Sequence, residues 1–370
     1  MRQHGFGVVG TGVIAATHAK SIAALPNAHL VAVTDVRPDS AEAFAAAHGC
    51  AVEPDLAALL ARADVDVVSV CVPSGLHADV GIQAAAAGKH LVVEKPIEVT
   101  LAAADKLIGA AQAAGVSLAV ISQHRFDAGL IELRRLLDGG ALGELVLGEA
   151  STKWYRTQAY YDSAAWRGTR AFDGGALLNQ GVHYVDLLRW CMGPVAEVTA
   201  LCATRAHQME AEDVAVATLR FTSGAVGMIV ASTAVFPGFA QRLEITGTNG
   251  TVIVEDGEIV RTGLLNGGER DSGSAADPAA AADPADPAPG DPAPPGAAGD
   301  PAAAADPAAL GLASHAAQIA DLLAAIEEGR QPLVTAQDGR DALEIVCAVY
   351  ESASEGRTVV LPQPDPVAAR

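Results

Sequence analysis

Positive charge is scarce in this chain. Its 370 residues carry 24 Lys and Arg against 44 Asp and Glu, a formal net charge of −20 at pH 7. So acidic a chain argues against nucleic acid or an anionic membrane as partner. Cysteine is scarce too. Cys50, Cys71, Cys191, Cys202 and Cys347 are scattered, odd in number and never spaced as CxxC. Neither a disulfide framework nor a zinc site is indicated, and no metal is expected. Long apolar runs are missing, so no segment reads as a membrane span. The N-terminus enters an apolar strand and a Gly turn, unlike a signal peptide. A soluble cytoplasmic protein is the expectation. What is plentiful is apolar residue, at 50%. That is enough for a sizeable core, and the length suggests two domains or one large one.

Phe6 to Val9 reads as a strand and runs into Gly10-Thr11-Gly12-Val13-Ile14-Ala15, followed by a helical segment. This is GxGxxA between a strand and a helix, the context a dinucleotide fingerprint requires. Gly10 permits the tight turn, and Gly12 lets backbone N–H groups approach a pyrophosphate. Ala15 permits close helix packing. The next strand ends in Asp35, 20 residues after Ala15. A carboxylate there suits both ribose hydroxyls of NAD and repels a 2′-phosphate, while Arg37 keeps NADP open. A Gly-rich turn without a ligand is the bland alternative. Val65 to Val72 is a near-continuous apolar run, as in a central parallel strand. It ends in Pro73-Ser74-Gly75-Leu76-His77, where His77 either lines the cofactor or caps the following helix. His90 to Val93 ends in Glu94-Lys95-Pro96. A cis Lys95–Pro96 bond would aim the ammonium at the crevice outside the strand ends. A strand from Ser117 to Ile121 and the exit Gln123-His124-Arg125-Phe126 complete an α/β first domain, residues 1–122.

From residue 123 to 370 the pattern changes. A helix and a strand (Leu145 to Tyr155) lead to Lys153-Trp154-Tyr155-Arg156 and to a loop with Tyr160, Tyr161, Trp166 and Arg167. Aromatics with polar partners suit a sugar-like ligand, and a packed closing loop is the equal alternative. Phe172 to Trp190 has helical apolar spacing, with Leu178, Val182 and Val185 in one row. On an α-helix Asn179 and His183 would lie one turn apart on the same face. Two polar groups there imply proton chemistry at His183 beside a nicotinamide. Five strand-like runs between Val195 and Glu255, parted by hairpin turns, predict an α+β domain with a largely antiparallel open sheet. Its outer face is a candidate homodimer or homotetramer surface. Within the insert at about 271–308, Asp271 to Pro307 holds seven Asp and no Lys, Arg or aromatic. Such a composition is expected to be disordered. Without it the formal charge is −20 + 7 = −13. Two helices, beginning near Ser314 and Asp338, and a short strand close the chain.

Together GxGxxA, PSGLHA, EKP and GGALLNQGVHYVDLLRW resemble the glucose–fructose oxidoreductase / inositol dehydrogenase / MocA family, over nearly all of the chain except the Asp-Pro-Ala insert. The resemblance implies NAD(P)-dependent hydride transfer at a secondary alcohol or ketone of a sugar, nucleotide sugar or cyclitol. It implies that Gly10, Gly12 and Asp35, with Thr11, Val13, Ile14, Arg37 and Pro73, hold NAD. Ser74, His77, Glu94 and Gln123 would line the nicotinamide side. Lys95 and His183 would be the catalytic pair, with Lys153, Trp166, Arg167 and Asn179 beside them on the substrate. Many members have Asp where this chain has Asn179. The Asn version, with KWYR and WRGT upstream, looks most like members acting on UDP-N-acetylglucosaminuronate or related sugars. His183 has the ordinary pKa best suited to a base near neutrality, and Lys95 would stabilise the developing alkoxide. Lys95 as base is the alternative. An NADPH-dependent ketosugar reductase and a non-catalytic dinucleotide-binding scaffold are the competing functions.

Overall fold

A computed structural model of the chain describes residues 2–265, 268–271 and 307–362, which form two units. The first unit, residues 2–123 with 307–340, is built on six strands: β1 (His4–Val9), β2 (Ala28–Thr34), β3 (Ala51–Val52), β4 (Val67–Val70), β5 (His90–Val93) and β6 (Leu118–Val120). Helices α1 (Val13–Ala23), α2 (Pro38–His48), α3 (Leu56–Ala61), α4 (His77–Ala86) and α5 (Leu101–Ala114) connect them. All strand pairs are parallel, in the order β3-β2-β1-β4-β5-β6. The sequence dictates this arrangement. Val67, Val68 and Val70 are fully buried, as β-branched residues are in a strand covered on both faces. The Asp55 side chain accepts from Ala58 N at 2.8 Å and starts α3. Strand order reverses between β1 and β4, and ligands of such sheets sit at that switch point, outside the carboxyl ends.

The second unit, residues 124–265, 268–271 and 341–362, opens with α6 (Ala128–Asp138), β7 (Leu145–Lys153) and α7 (Gln158–Asp162). A π-helical turn, Ala176–Gly181, passes into α8 (Val182–Met192). Strands follow: β8 (Val195–Ala203), β9 (Val214–Phe221), β10 (Val226–Ser232), β11 (Arg242–Gly247), β12 (Gly250–Glu255), β13 (Glu258–Leu264) and β14 (Gly268–Asp271). Two later helices are α9 (Pro307–Glu328) and α10 (Ala336–Glu355), and β15 (Val359–Val360) ends the order. The sheet runs β14-β13-β12-β11-β7-β10-β9-β8-β15. Among the described strands of this sheet only β7 and β10 pair in parallel. Strand β9 shows why one face is covered: Ala215, Ala217, Leu219 and Phe221 are buried, and the residues between them point out. Helix α8 packs on β7 and β11. The outward face carries exposed Leu201, Val216 and Val226. Strand β13 had no counterpart in the sequence reading, because GluIleValArgThrGly has little alternation to mark it.

Helix α9 belongs to the first unit. Its Ile319, Leu322 and Leu323 share one buried cluster with Phe6, Ile22, Val67, Val92, Ala119 and Ile121. Burying each such side chain contributes roughly 2 kcal/mol. Gln318 accepts from Ser122 N at 2.9 Å and donates to Val120 O at 2.7 Å. The division expected from sequence, with everything beyond residue 122 in the second domain, therefore differs from the units observed. The apolar side of α9 has its complement on α1 and β1, not on the sheet that precedes it in the chain. Most of the acidic insert, residues 272–306, lies outside the described residues. Among the described residues no helix is long and apolar enough to cross a membrane.

Candidate functional site

The carboxyl edge of the parallel sheet gathers every cofactor residue expected of the first unit. Gly10 follows β1 at φ +95°, and a Cβ there would sit 2.5 Å from Cys71 O, so only Gly fits this turn. Gly12 is the N-cap of α1, with no side-chain cap, and the space where its Cβ would be is open for 4 Å. Thr11 and Val13 with Ile14 flank it. Beyond β2, Asp35 Oδ2 accepts from Thr11 N at 2.8 Å and Thr11 Oγ1 at 2.7 Å. Asp35 Oδ1 accepts from Arg37 N at 2.9 Å. Burial alone would push this carboxyl up, but the bonds from Thr11 and Arg37 outweigh it and hold Asp35 below the usual range. Pro73 and Ser74 follow β4, and both are half-buried. Gln123 follows β6, and its buried Oε1 has no hydrogen-bond partner among the described residues.

His77 does something the sequence left open. It caps no helix. Its Nδ1 and Nε2 lie 2.8 and 2.9 Å from the carbonyls of Pro96 and Val72. Burial drives its pKa down, so the neutral ring donates to one carbonyl at a time. The ring ties the loop after β4 to the Lys95–Pro96 turn, whose peptide bond is cis. Glu94 is also turned inward. Its Oε1 lies 2.8 Å from His18 Nε2, and its Oε2 accepts from Lys95 N at 3.0 Å. Burial disfavours charge on both. The bond to His18 nevertheless holds the Glu94 carboxyl below its ordinary range, and the neighbouring Cys71 and Glu94 hold the His18 ring above its own. His315 of α9 brings its Nε2 to 4.0 Å from Glu94 Oε1. The three side chains hold donors within 4.8 Å of one another, but His18 and Glu94 are already bonded together. Lys95 itself is half-buried at the head of this network.

In the second unit the motif GGALLNQGVH folds around Glu212. Its backbone O accepts from Ala176 N, and its Oε1 accepts from Leu177 N, both at 2.9 Å, and from Tyr350 OH at 3.1 Å. Gly175 is obligatory, because a Cβ would fall 1.9 Å from Glu212 Oε2. Burial raises the Glu212 carboxyl to about 7. The clamp fixes the start of the π-helical turn. Asn179 lies in that turn and His183 in the α-helix after it, so the α-helical spacing expected between them does not apply. Asn179 Nδ2 donates to Asp173 Oδ1, and Asp173 Oδ2 accepts from Gly168 N at 2.7 Å. Asp186 is structural: Arg125 grips it through two bonds of 2.8 and 2.5 Å. The His183 ring meets His124, with centroids 5.2 Å apart.

The aromatic loop resolves into two parts. Tyr160 and Tyr161 lie in α7 and are buried, which fits the packed reading. Trp166 and Arg167 are half-buried, with the guanidinium 4.7 Å from the Trp166 ring and 4.2 Å from Tyr160. Lys153 is exposed at the end of β7.

Residues 4–122 match a family described as an oxidoreductase family with an NAD-binding Rossmann fold, and residues 130–253 match the GFO/IDH/MocA C-terminal domain. The chain belongs to the GFO/IDH/MocA family. Its relatives include an inositol 2-dehydrogenase of Rhizobium meliloti, 28% identical over 360 residues, 96% of this chain and 98% of that protein. A myo-inositol 2-dehydrogenase of Thermotoga maritima is 27% identical over 366 residues, 96% and 98% of the two chains. Among solved structures, the WlbA dehydrogenase from Bordetella pertussis, in complex with NADH and UDP-GlcNAcA, is 30% identical. That match covers 98% of this chain and 100% of the other, with a TM-score of 0.82.

As a GFO/IDH/MocA protein the chain is an NAD-dependent oxidoreductase, and its first unit fits the dinucleotide. An uncapped helix start beneath open space, an acidic group after β2 and an orphaned buried amide oxygen after β6 are what a pyrophosphate, a ribose and a carboxamide require. Sequence reasoning missed His18, His315, Glu212 and Tyr350. Only His18 carried a signal, a large polar residue among the buried positions of α1.

Proposed function

We propose that this protein oxidises a secondary alcohol of a sugar-like substrate, with a nucleotide-linked uronic sugar as the favoured class and a cyclitol as the next. The observation that carries the choice is the stretch from Trp166 to Asn179. A half-buried aromatic ring and a stacked guanidinium are tied through Gly168 N and Asp173 to Asn179. A ring platform, a cation and an amide held by a carboxylate suit an anionic sugar better than a neutral cyclitol.

NAD⁺, when bound, accepts the hydride. His183 takes the hydroxyl proton as the carbonyl forms, and Lys95 stabilises the developing alkoxide. Asn179 cannot take a proton, and it orients the sugar by hydrogen bonding. Glu94 holds the backbone at Lys95, and His77 holds the turn after it. Leu201, Val216 and Val226 mark the face through which copies associate as a homodimer or homotetramer.

Thermal shift with NAD⁺, NADH, NADP⁺ and NADPH comes first, followed by NAD⁺ reduction with UDP-N-acetylglucosaminuronate and with myo-inositol. Turnover of the uronate, abolished by His183→Asn with NADH binding intact, is the expected result. Turnover of myo-inositol alone would overturn the favoured class. Stabilisation by NADPH alone would move the reading to a ketosugar reductase, for which exposed Arg37 is the structural opening.

A further inference from the structure

The turn that begins the second unit carries a histidine not used above. His124 Nδ1 lies 2.6 Å from Asp127 Oδ2. Its ring stands nearly perpendicular to that of His183, at 86° and 5.2 Å between centroids. Asp127 occupies the N-cap of α6, where an Asp side chain ordinarily accepts from a first-turn amide. Here it makes no such bond and turns to the imidazole instead. Gly257 closes behind the carboxylate: its φ is +87°, and a Cβ would sit 2.6 Å from Asp127 Oδ2. The groups that face His124 are His183 and Tyr184 from α8, Asp127 from the head of α6 and Asp256 from the turn after β12.

We propose that His124, oriented by Asp127, relays the substrate proton from His183 to solvent. The proposal rests on the reading of His183 as base. A neutral His124 that donates Nδ1–H to Asp127 keeps Nε2 as an acceptor. The hydroxyl proton passes to His183, then to His124 Nε2 directly or through one water, then to bulk water. One proton moves in each step and no electrons do. The Asp127 carboxylate balances the imidazolium while it exists, and His183 returns to its basic form before the next substrate. His124 acts through His183, so with Asp127 it forms a positioning pair and need not touch substrate.

The test uses full-length His124→Phe, Asp127→Asn and His183→Asn proteins, each checked for NADH binding and melting temperature, with the substrate the screen above identifies. His124→Phe is expected to lower kcat about tenfold or more, with KM changed less than about twofold. Millimolar imidazole should restore turnover, and wild type should ignore the buffer. Asp127→Asn should show a smaller loss with the same rescue, and it decides the matter if His124→Phe does not fold. Inactive His183→Asn beside fully active, buffer-independent His124→Phe would overturn the relay and leave the base in place. Fully active His183→Asn would overturn the base, and the relay with it.

Discussion

Asp35 is held by Thr11 through one oxygen and by Arg37 through the other. Those bonds keep it ionised, so a 2′-phosphate would meet a full negative charge. Asp35→Ala is expected to weaken NADH at least tenfold, about 1.4 kcal/mol, and to bring NADPH to comparable affinity because Arg37 is released. Fluorescence titration of both nucleotides checks this, and unchanged selectivity would remove Asp35 from that role. The residues of this edge were legible because a strand, a Gly turn and an acidic residue stand at fixed spacing in one short stretch. Glu94 was legible only in part. The motif marked it, but its partners His18 and His315 come from helices far apart in the chain. Periodicity tells which side of a helix is buried, not which polar group it meets there.

The segment from Ala176 to Met192 shows the same limit at the level of an element. Its apolar spacing marked a helix correctly. The π-helical first turn was not legible, because a residue beyond β8 imposes it: Glu212, through Ala176, Leu177 and the absent side chain of Gly175. The clamp also has a pH signature. Burial raises Glu212 from 4.5 to about 7, so the folded state binds its proton more tightly than the unfolded one. Its contribution is whole below about pH 4.5 and declines as pH climbs to about 7, a loss of about 3 kcal/mol. Glu212→Gln cannot titrate. Its melting temperature should overtake that of wild type as pH rises through this window, and parallel curves would show that the carboxyl stays ionised throughout. Glu212→Ala empties the clamp, and hydrogen exchange at Ala176 to Val182 should speed up while NADH binding holds.

Taken whole, the molecule is a GFO/IDH/MocA oxidoreductase whose two sheets were both foreseeable, one from near-continuous apolar strands and the other from hairpin turns. The return of α9 to the first unit was not foreseeable from local pattern, since an amphipathic helix does not name its partner. A fragment of residues 1–123 should therefore melt well below the intact protein and bind NADH poorly. Adding residues 307–340 as a separate peptide should restore part of both. Circular dichroism and fluorescence titration decide it, and a fragment that is stable alone would contradict the role given to Ile319, Leu322 and Leu323. On the ribosome the same helix sets a timetable. The strands that carry the dinucleotide turn are made first, yet the last side chains of their core are added only after residues 124–306 have been translated, roughly ten to forty seconds later at 5–20 residues per second. The N-terminal unit is thus begun first and completed only after most of the second unit has been made, and for that interval a nascent chain presents Ile22 and its neighbours to whatever chaperone waits at the tunnel exit.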